Sequence, residues 1–148
     1  MVRNASLTAS SVGVWSSTAL VLVGVGYVAV LGVGFSRHGL NEPITDPILA
    51  VMEILTILSA VPVVTLCLAL HVVTEGPRRI FSLLALCFAC MFALATITVH
   101  VVELTAGRQL GSHGLVWPST AYAVELVAWD LLLGLALLAM WAALVSHG

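Results

Sequence analysis

The chain contains no lysine, and only 8% of its 148 residues are charged. An ordinary soluble domain carries about a quarter charged residues. There is therefore too little charge to coat a water-facing surface. The net charge of −2, with no basic stripe, also excludes a phosphate-backbone binder, so no nucleic-acid partner is expected. Motifs of soluble nucleotide and metal enzymes are missing too: there is no G-x-G-x-x-G, P-loop or H-E-x-x-H. Cysteine is scarce. Cys67, Cys87 and Cys90 all fall in hydrophobic runs, and three is an awkward number for a disulfide framework. The Cys87-Phe88-Ala89-Cys90 spacing signals redox or metal chemistry at a loop or helix start. Here it lies inside a helix-length apolar segment and reads as packing between helices.

What the chain has in abundance is apolar sequence, 61% of its residues. A helix needs about 20 consecutive apolar residues to cross a bilayer, and four such runs occur, at about 13–35, 47–74, 80–106 and 118–146. The links at 36–46, 75–79 and 107–117 are short, which makes consecutive runs antiparallel neighbours. The expected fold is an all-α integral membrane protein: one antiparallel four-transmembrane-helix bundle over residues 1–148, with no soluble domain.

The span boundaries have mechanisms. Thr45-Asp46-Pro47 supplies side-chain caps followed by proline at the first helical position. Gly76-Pro77 stops the second span and turns the chain. Trp117-Pro118-Ser119 joins an interfacial aromatic to an N-terminal proline. Pro62, mid-span, is expected to kink the second helix. The first span reads as a signal anchor rather than a cleaved signal peptide. Rich in glycine and free of ionisable residues, it is expected to be scaffold or a homo-oligomer contact. Arg3, Arg78 and Arg79 on one side outnumber Arg37 and Arg108 on the other, which puts both termini in the cytoplasm of what reads as a bacterial inner-membrane protein.

Five ionisable residues interrupt the apolar runs: Glu53, His100, Glu103, Glu125 and Asp130. Such groups are costly in hydrocarbon and normally face a bundle interior or a wet cavity. Helical rise places Glu53 about 10 Å into its span, His100 and Glu103 roughly 5–9 Å from the end of theirs, and Glu125 about 10 Å into the fourth. With alternating span directions, these four share one layer in the outer half, while Asp130 lies a turn and a half deeper. It points about 140° away from Glu125 and suits a different neighbour. Helical spacing aligns Phe92, Thr96, His100 and Glu103 on one stripe, Tyr122, Glu125 and Trp129 on a second, and Glu53, Thr56 and Ala60 on a third.

Converging stripes of this kind make a lined cavity. Carboxylates crowded in low dielectric share protons, which suits acid–base catalysis. The chemistry expected is that of a membrane-embedded isomerase, cyclase or epoxide-opening enzyme acting on a small lipophilic molecule. Glu53 and Glu125 are the acid and base candidates, His100 and Glu103 a relay, and Asp130 a second acid. Thr56, Phe92, Thr96, Tyr122 and Trp129 are the expected substrate walls. The expected partners are that lipophilic molecule and membrane lipids.

No cofactor is expected. A metal held by His100, Glu103, Glu53 and Glu125 is a secondary reading, short of nitrogen ligands. Two non-enzymatic alternatives are an oligomeric proton or cation translocator and an accessory subunit whose polar layer locks its helices together. His71 reads as an interfacial histidine paired with Glu75, and His38, His113 and His147 as solvated. The set Asp46-Pro47, Glu53, His100, Trp117-Pro118-Ser119 and Ala128-Trp129-Asp130 resembles the small four-span membrane proteins of bacteria. It points to no characterised family, so it assigns no residue a role.

Overall fold

The computed structural model describes residues 2–40, 42–110 and 119–145; Trp117, Pro118, His113 and His147 lie outside the described residues. Those described form helices and their connections, with no strand among them. Four helices are long and apolar enough to cross a membrane, Leu7–His38, Ile48–Val73, Gly76–Gly107 and Thr120–Val145, here spans one to four. The chain is a four-helix membrane protein, as the length of its apolar runs implies.

Span one belongs to a helix running from Val2 to His38, which starts well before the apolar run. The polar residues at its start do not break it, because hydroxyls bond back to carbonyls one turn earlier. Ser11 donates to Leu7 O at 3.1 Å, Ser17 to Gly13 O at 2.9 Å and Thr18 to Val14 O at 2.9 Å. Span two starts at Ile48 with Pro47 at the cap position, and the Asp46 carboxylate accepts the Ala50 N–H at 3.1 Å. Its helix continues through Pro62 without interruption. At its far end Gly76, with φ of 65°, makes the left-handed turn that a side chain would resist, and Pro77 leads into span three.

Spans three and four each contain a π-helical segment, Glu103–Gly107 and Val127–Leu133. Nothing in the apolar pattern of the sequence announces them. A π turn inserts an extra residue into the winding and rotates everything beyond it, and such turns are frequent at functional sites. Span four opens where Ser119 accepts the Tyr122 N–H at 3.1 Å, a side-chain cap.

Span one packs along span two, two along three and three along four; among the described residues spans one and four are not closely packed, and a cavity lies between them. The core is built mainly of small residues that let backbones approach. One cluster joins Ala60, Phe92, Ala93 and Ala128, and a second joins Cys67, Ala85, Ala89 and Ala136. The packing role expected of the cysteines holds for Cys67 alone. Cys87 and Cys90 are free thiols on the exposed face. Span one is tied to span two by a Ser16–Thr65 hydroxyl pair at 2.7 Å.

Its glycines divide by task. A Cβ at Gly13 would sit 3.6 Å from Ala69 and one at Gly26 3.8 Å from Leu55, both ordinary packing contacts. At Gly24 nothing lies within 4 Å.

Candidate functional site

The polar residues gather at one end of the bundle, as their depths require, but as two separate constellations. The first is centred on Arg108, which follows the π turn closing span three. Its guanidinium grips Asp46 in a two-pronged contact, Nε to Oδ2 at 2.8 Å and Nη2 to Oδ1 at 2.9 Å. Its Nη1 donates to the Glu103 carbonyl at 2.9 Å and lies 2.8 Å from Glu53 Oε2, the latter a close ion pair rather than an aligned hydrogen bond. The Asp46 hydrogen bonds, opposed by partial burial and reinforced by Glu53, push the Arg108 pKa above its already high ordinary value. Glu53 is therefore the inner half of a clamp that joins the start of span two to the end of span three.

The second constellation is an acid–base pair. His100 Nε2 stands 3.0 Å from Glu125 Oε1, and the indole N–H of Trp129 donates to that same oxygen. Trp129 sits four residues after Glu125, so the contact closes within span four. An oxygen already accepting an indole N–H acts as a carboxylate acceptor. That assignment puts the imidazole proton on Nε2 and leaves Nδ1 with a lone pair. The remaining atoms of the pair, His100 Nδ1 and Glu125 Oε2, are buried and have no hydrogen-bond partner among the described residues. His100 as a whole is 6% exposed.

The pair lies on the wall of a cavity of about 750 Å³ in the gap between spans one and four. Span one contributes Gly24 and Tyr27, span two Leu55, Thr56 and Ser59, and span four Trp129 and Leu133 beside Glu125. Phe92 closes the wall from span three and meets Trp129 edge to face, with ring centroids 5.1 Å apart at 89°. A volume of this size accommodates a drug-sized molecule, and walls mostly apolar with a few converging polar groups are the usual form of such sites.

Of the residues expected at a site, the structure brings His100, Glu125, Thr56, Phe92 and Trp129 onto one wall. Thr96 is fully buried and off that wall, its hydroxyl without a hydrogen-bond partner among the described residues. Glu103 is buried but off the wall, and the relay expected between it and His100 gives way to a His100–Glu125 contact between spans. Tyr122 and Glu53 are off the wall as well. Asp130 does not line the cavity. It is exposed on the flank of span four, with no hydrogen bond or ion pair to a described residue.

His71 pairs with Ser82 Oγ at 3.0 Å rather than with Glu75. Among the described residues no three His, Cys, Asp or Glu are grouped to hold a metal ion.

Three contributors escaped sequence reasoning. Span one, read as scaffold, supplies cavity wall; the signal was there in Tyr27, set in the glycine and aliphatic stretch 19–34. Gly24 keeps space open instead of bringing helices together. Arg108, counted only as a loop charge, neutralises Glu53. No family model matches the chain, and comparison with curated proteins and with solved structures finds no match.

Proposed function

We propose that the chain is a membrane-embedded acid–base enzyme acting on a small lipophilic molecule, of isomerase, cyclase or epoxide-opening type. One observation carries the reading. A largely apolar cavity carries a carboxylate–imidazole pair in its wall, and one buried atom of each partner has no hydrogen-bond partner among the described residues. Glu125 holds the ring through Nε2 and stabilises the imidazolium once it forms, and His100 is the base. The gap between spans one and four is the route by which a membrane-dissolved substrate reaches it. We place the polar end in the outer half of a bacterial inner membrane with both termini cytoplasmic, on the arginine distribution alone.

The alternatives explain less. A translocator needs polar groups from end to end. Between the polar layer and the His71–Ser82 pair stand the two apolar core clusters, closed by Phe92 and alanines. An accessory subunit locked by polar contacts would be served by the Arg108 clamp, and the unsatisfied His100–Glu125 pair would have no purpose.

The test is to incubate purified protein in nanodiscs with a lipid extract and follow masses over time. Wild type is expected to convert one lipophilic component, and His100→Gln to leave it unchanged. Equal conversion by His100→Gln, or no conversion by wild type, refutes the assignment.

A further inference from the structure

Most polar atoms around the cavity are already spent. Glu125 Oε1 takes the N–H of His100 and the N–H of the Trp129 indole. The Thr56 hydroxyl donates to Met52 O at 3.0 Å and the Ser59 hydroxyl to Thr56 O at 2.7 Å, so each keeps only lone pairs for a guest. His100 Nδ1 and Glu125 Oε2 are buried inside the wall. Tyr27 is the exception. Its hydroxyl makes no hydrogen bond to a described residue, and its oxygen is not among the buried unpartnered atoms, so it remains accessible.

The packing of span one on span two fixes the depth of that hydroxyl. Ser16 bonds Thr65, and Gly26 approaches Leu55; this antiparallel register sets Tyr27 level with Ile54, beside Glu53 in the polar layer. The phenol is also close enough to Glu125, on the wall supplied by span four, to interact with its charge. It therefore faces across the cavity rather than serving as an aromatic anchor at the membrane boundary, where its hydroxyl would meet water. Around it stand Leu20, Val23, Leu55 and Leu133, none of which can accept its proton. A phenol held among apolar walls without an acceptor forgoes a hydrogen bond.

We infer that Tyr27 is the residue that recognises the ligand: its O–H donates to an acceptor oxygen, of carbonyl or epoxide type, on an otherwise apolar molecule. Among the described residues lining the cavity, its proton is the side-chain donor left uncommitted, whereas acceptor lone pairs remain on Thr56 and Ser59. A hydrocarbon of the same shape leaves that proton unpaired, so the cavity selects the oxygenated molecule. A donor at a carbonyl or epoxide oxygen also draws charge from the adjacent carbon, as isomerisation or epoxide opening requires. The inference rests on the cavity being the ligand site proposed above. It concerns recognition, so it holds whether the bound molecule is then transformed or released.

The probes are undecan-2-one, labelled with ¹³C at the carbonyl, and 2-methylundec-1-ene, in which a CH₂ group replaces the oxygen with little change of shape. Each is titrated calorimetrically into the protein in nanodiscs, with empty nanodiscs subtracted. The carbonyl resonance is followed by NMR, because accepting a hydrogen bond moves it downfield. Wild type is expected to bind the ketone saturably, with a downfield carbonyl, and the alkene about fivefold more weakly. Tyr27→Phe keeps the ring; it should unfold at the wild-type temperature, lose the downfield shift and bind both probes alike. Gly24→Trp, at a position where an added Cβ meets nothing within 4 Å, should fill the cavity and exclude both probes. A downfield shift retained in Tyr27→Phe, or equal binding of the two probes to wild type, overturns the inference and leaves the cavity as the ligand site. Binding unaltered by Gly24→Trp, or saturable binding of neither probe to wild type, refutes the cavity as the site and the inference with it.

Discussion

Replacing Arg108 by Gln tests whether Glu53 is structural or catalytic. The side chains of Asp46, Arg108 and Glu53 are 49%, 28% and 5% exposed. The Asp46 half of the clamp is thus largely solvated and is worth about 0–1 kcal/mol. Glu53 is different. Removing its partner strands a buried carboxylate, which typically costs about 3–5 kcal/mol. Because the guanidinium is itself part-exposed, the lower end applies, and Arg108→Gln is expected to destabilise by about 3 kcal/mol. Glu53→Gln leaves Arg108 its contacts with Asp46 and the Glu103 carbonyl and should cost less, about 1 kcal/mol.

The double variant then recovers most of the loss, because no buried charge is left without its partner and Asp46 is half solvated. Reversible unfolding in mixed micelles measures all four proteins, and the coupling energy follows from the cycle. If the two losses simply add, or if Arg108→Gln stays within about 0.5 kcal/mol of wild type, the clamp does not hold the two spans together. The same variants address chemistry: if Glu53→Gln keeps its stability but loses turnover, Glu53 is the acid or base that its position in the sequence suggested.

Trp129→Phe keeps the ring edge against Phe92 but removes the indole donor to Glu125. A hydrogen bond to a charged group is worth about 1.5–3 kcal/mol, and a loss of that order is expected from unfolding in micelles; unchanged stability refutes the shared-oxygen geometry. Asp130→Leu replaces an outward-facing carboxyl within span four and should make membrane insertion more favourable by about 3 kcal/mol, judged by a glycosylation-based insertion assay, without affecting ligand binding. Loss of binding in that variant would restore Asp130 to the site. Ser16→Ala removes the Ser16–Thr65 pair between spans one and two, and about 0.6 kcal/mol is expected from unfolding in micelles. A loss above about 2 kcal/mol would mean that the hydroxyl does more than tether.

The four spans could be read in the sequence because the bilayer imposes one dominant demand, about 20 apolar residues per crossing with backbone bonds satisfied internally. The polar layer was legible for a related reason: rise per residue and alternating direction fix depth before any packing is known, and Glu53, His100, Glu103 and Glu125 do meet at one end. Periodicity also placed Phe92, Thr96 and His100 on the buried face of span three. It could not say which carboxylate meets which partner. That depends on rotation between helices, and the π turns at Glu103–Gly107 and Val127–Leu133 alter the rotation locally where the apolar pattern runs on unchanged.

So the sequence by itself determined the class of protein, the number of crossings and the depth of the ionisable groups, all of which follow from burying apolar length and from helical pitch. Only the tertiary structure decided that Arg108 takes Glu53, that His100 takes Glu125, that Asp130 looks outward, and that Gly24 and Tyr27 border a cavity. Those outcomes depend on how four helices are turned and spaced against one another, and in hydrocarbon that is set by side-chain packing across distant parts of the chain rather than by any local pattern.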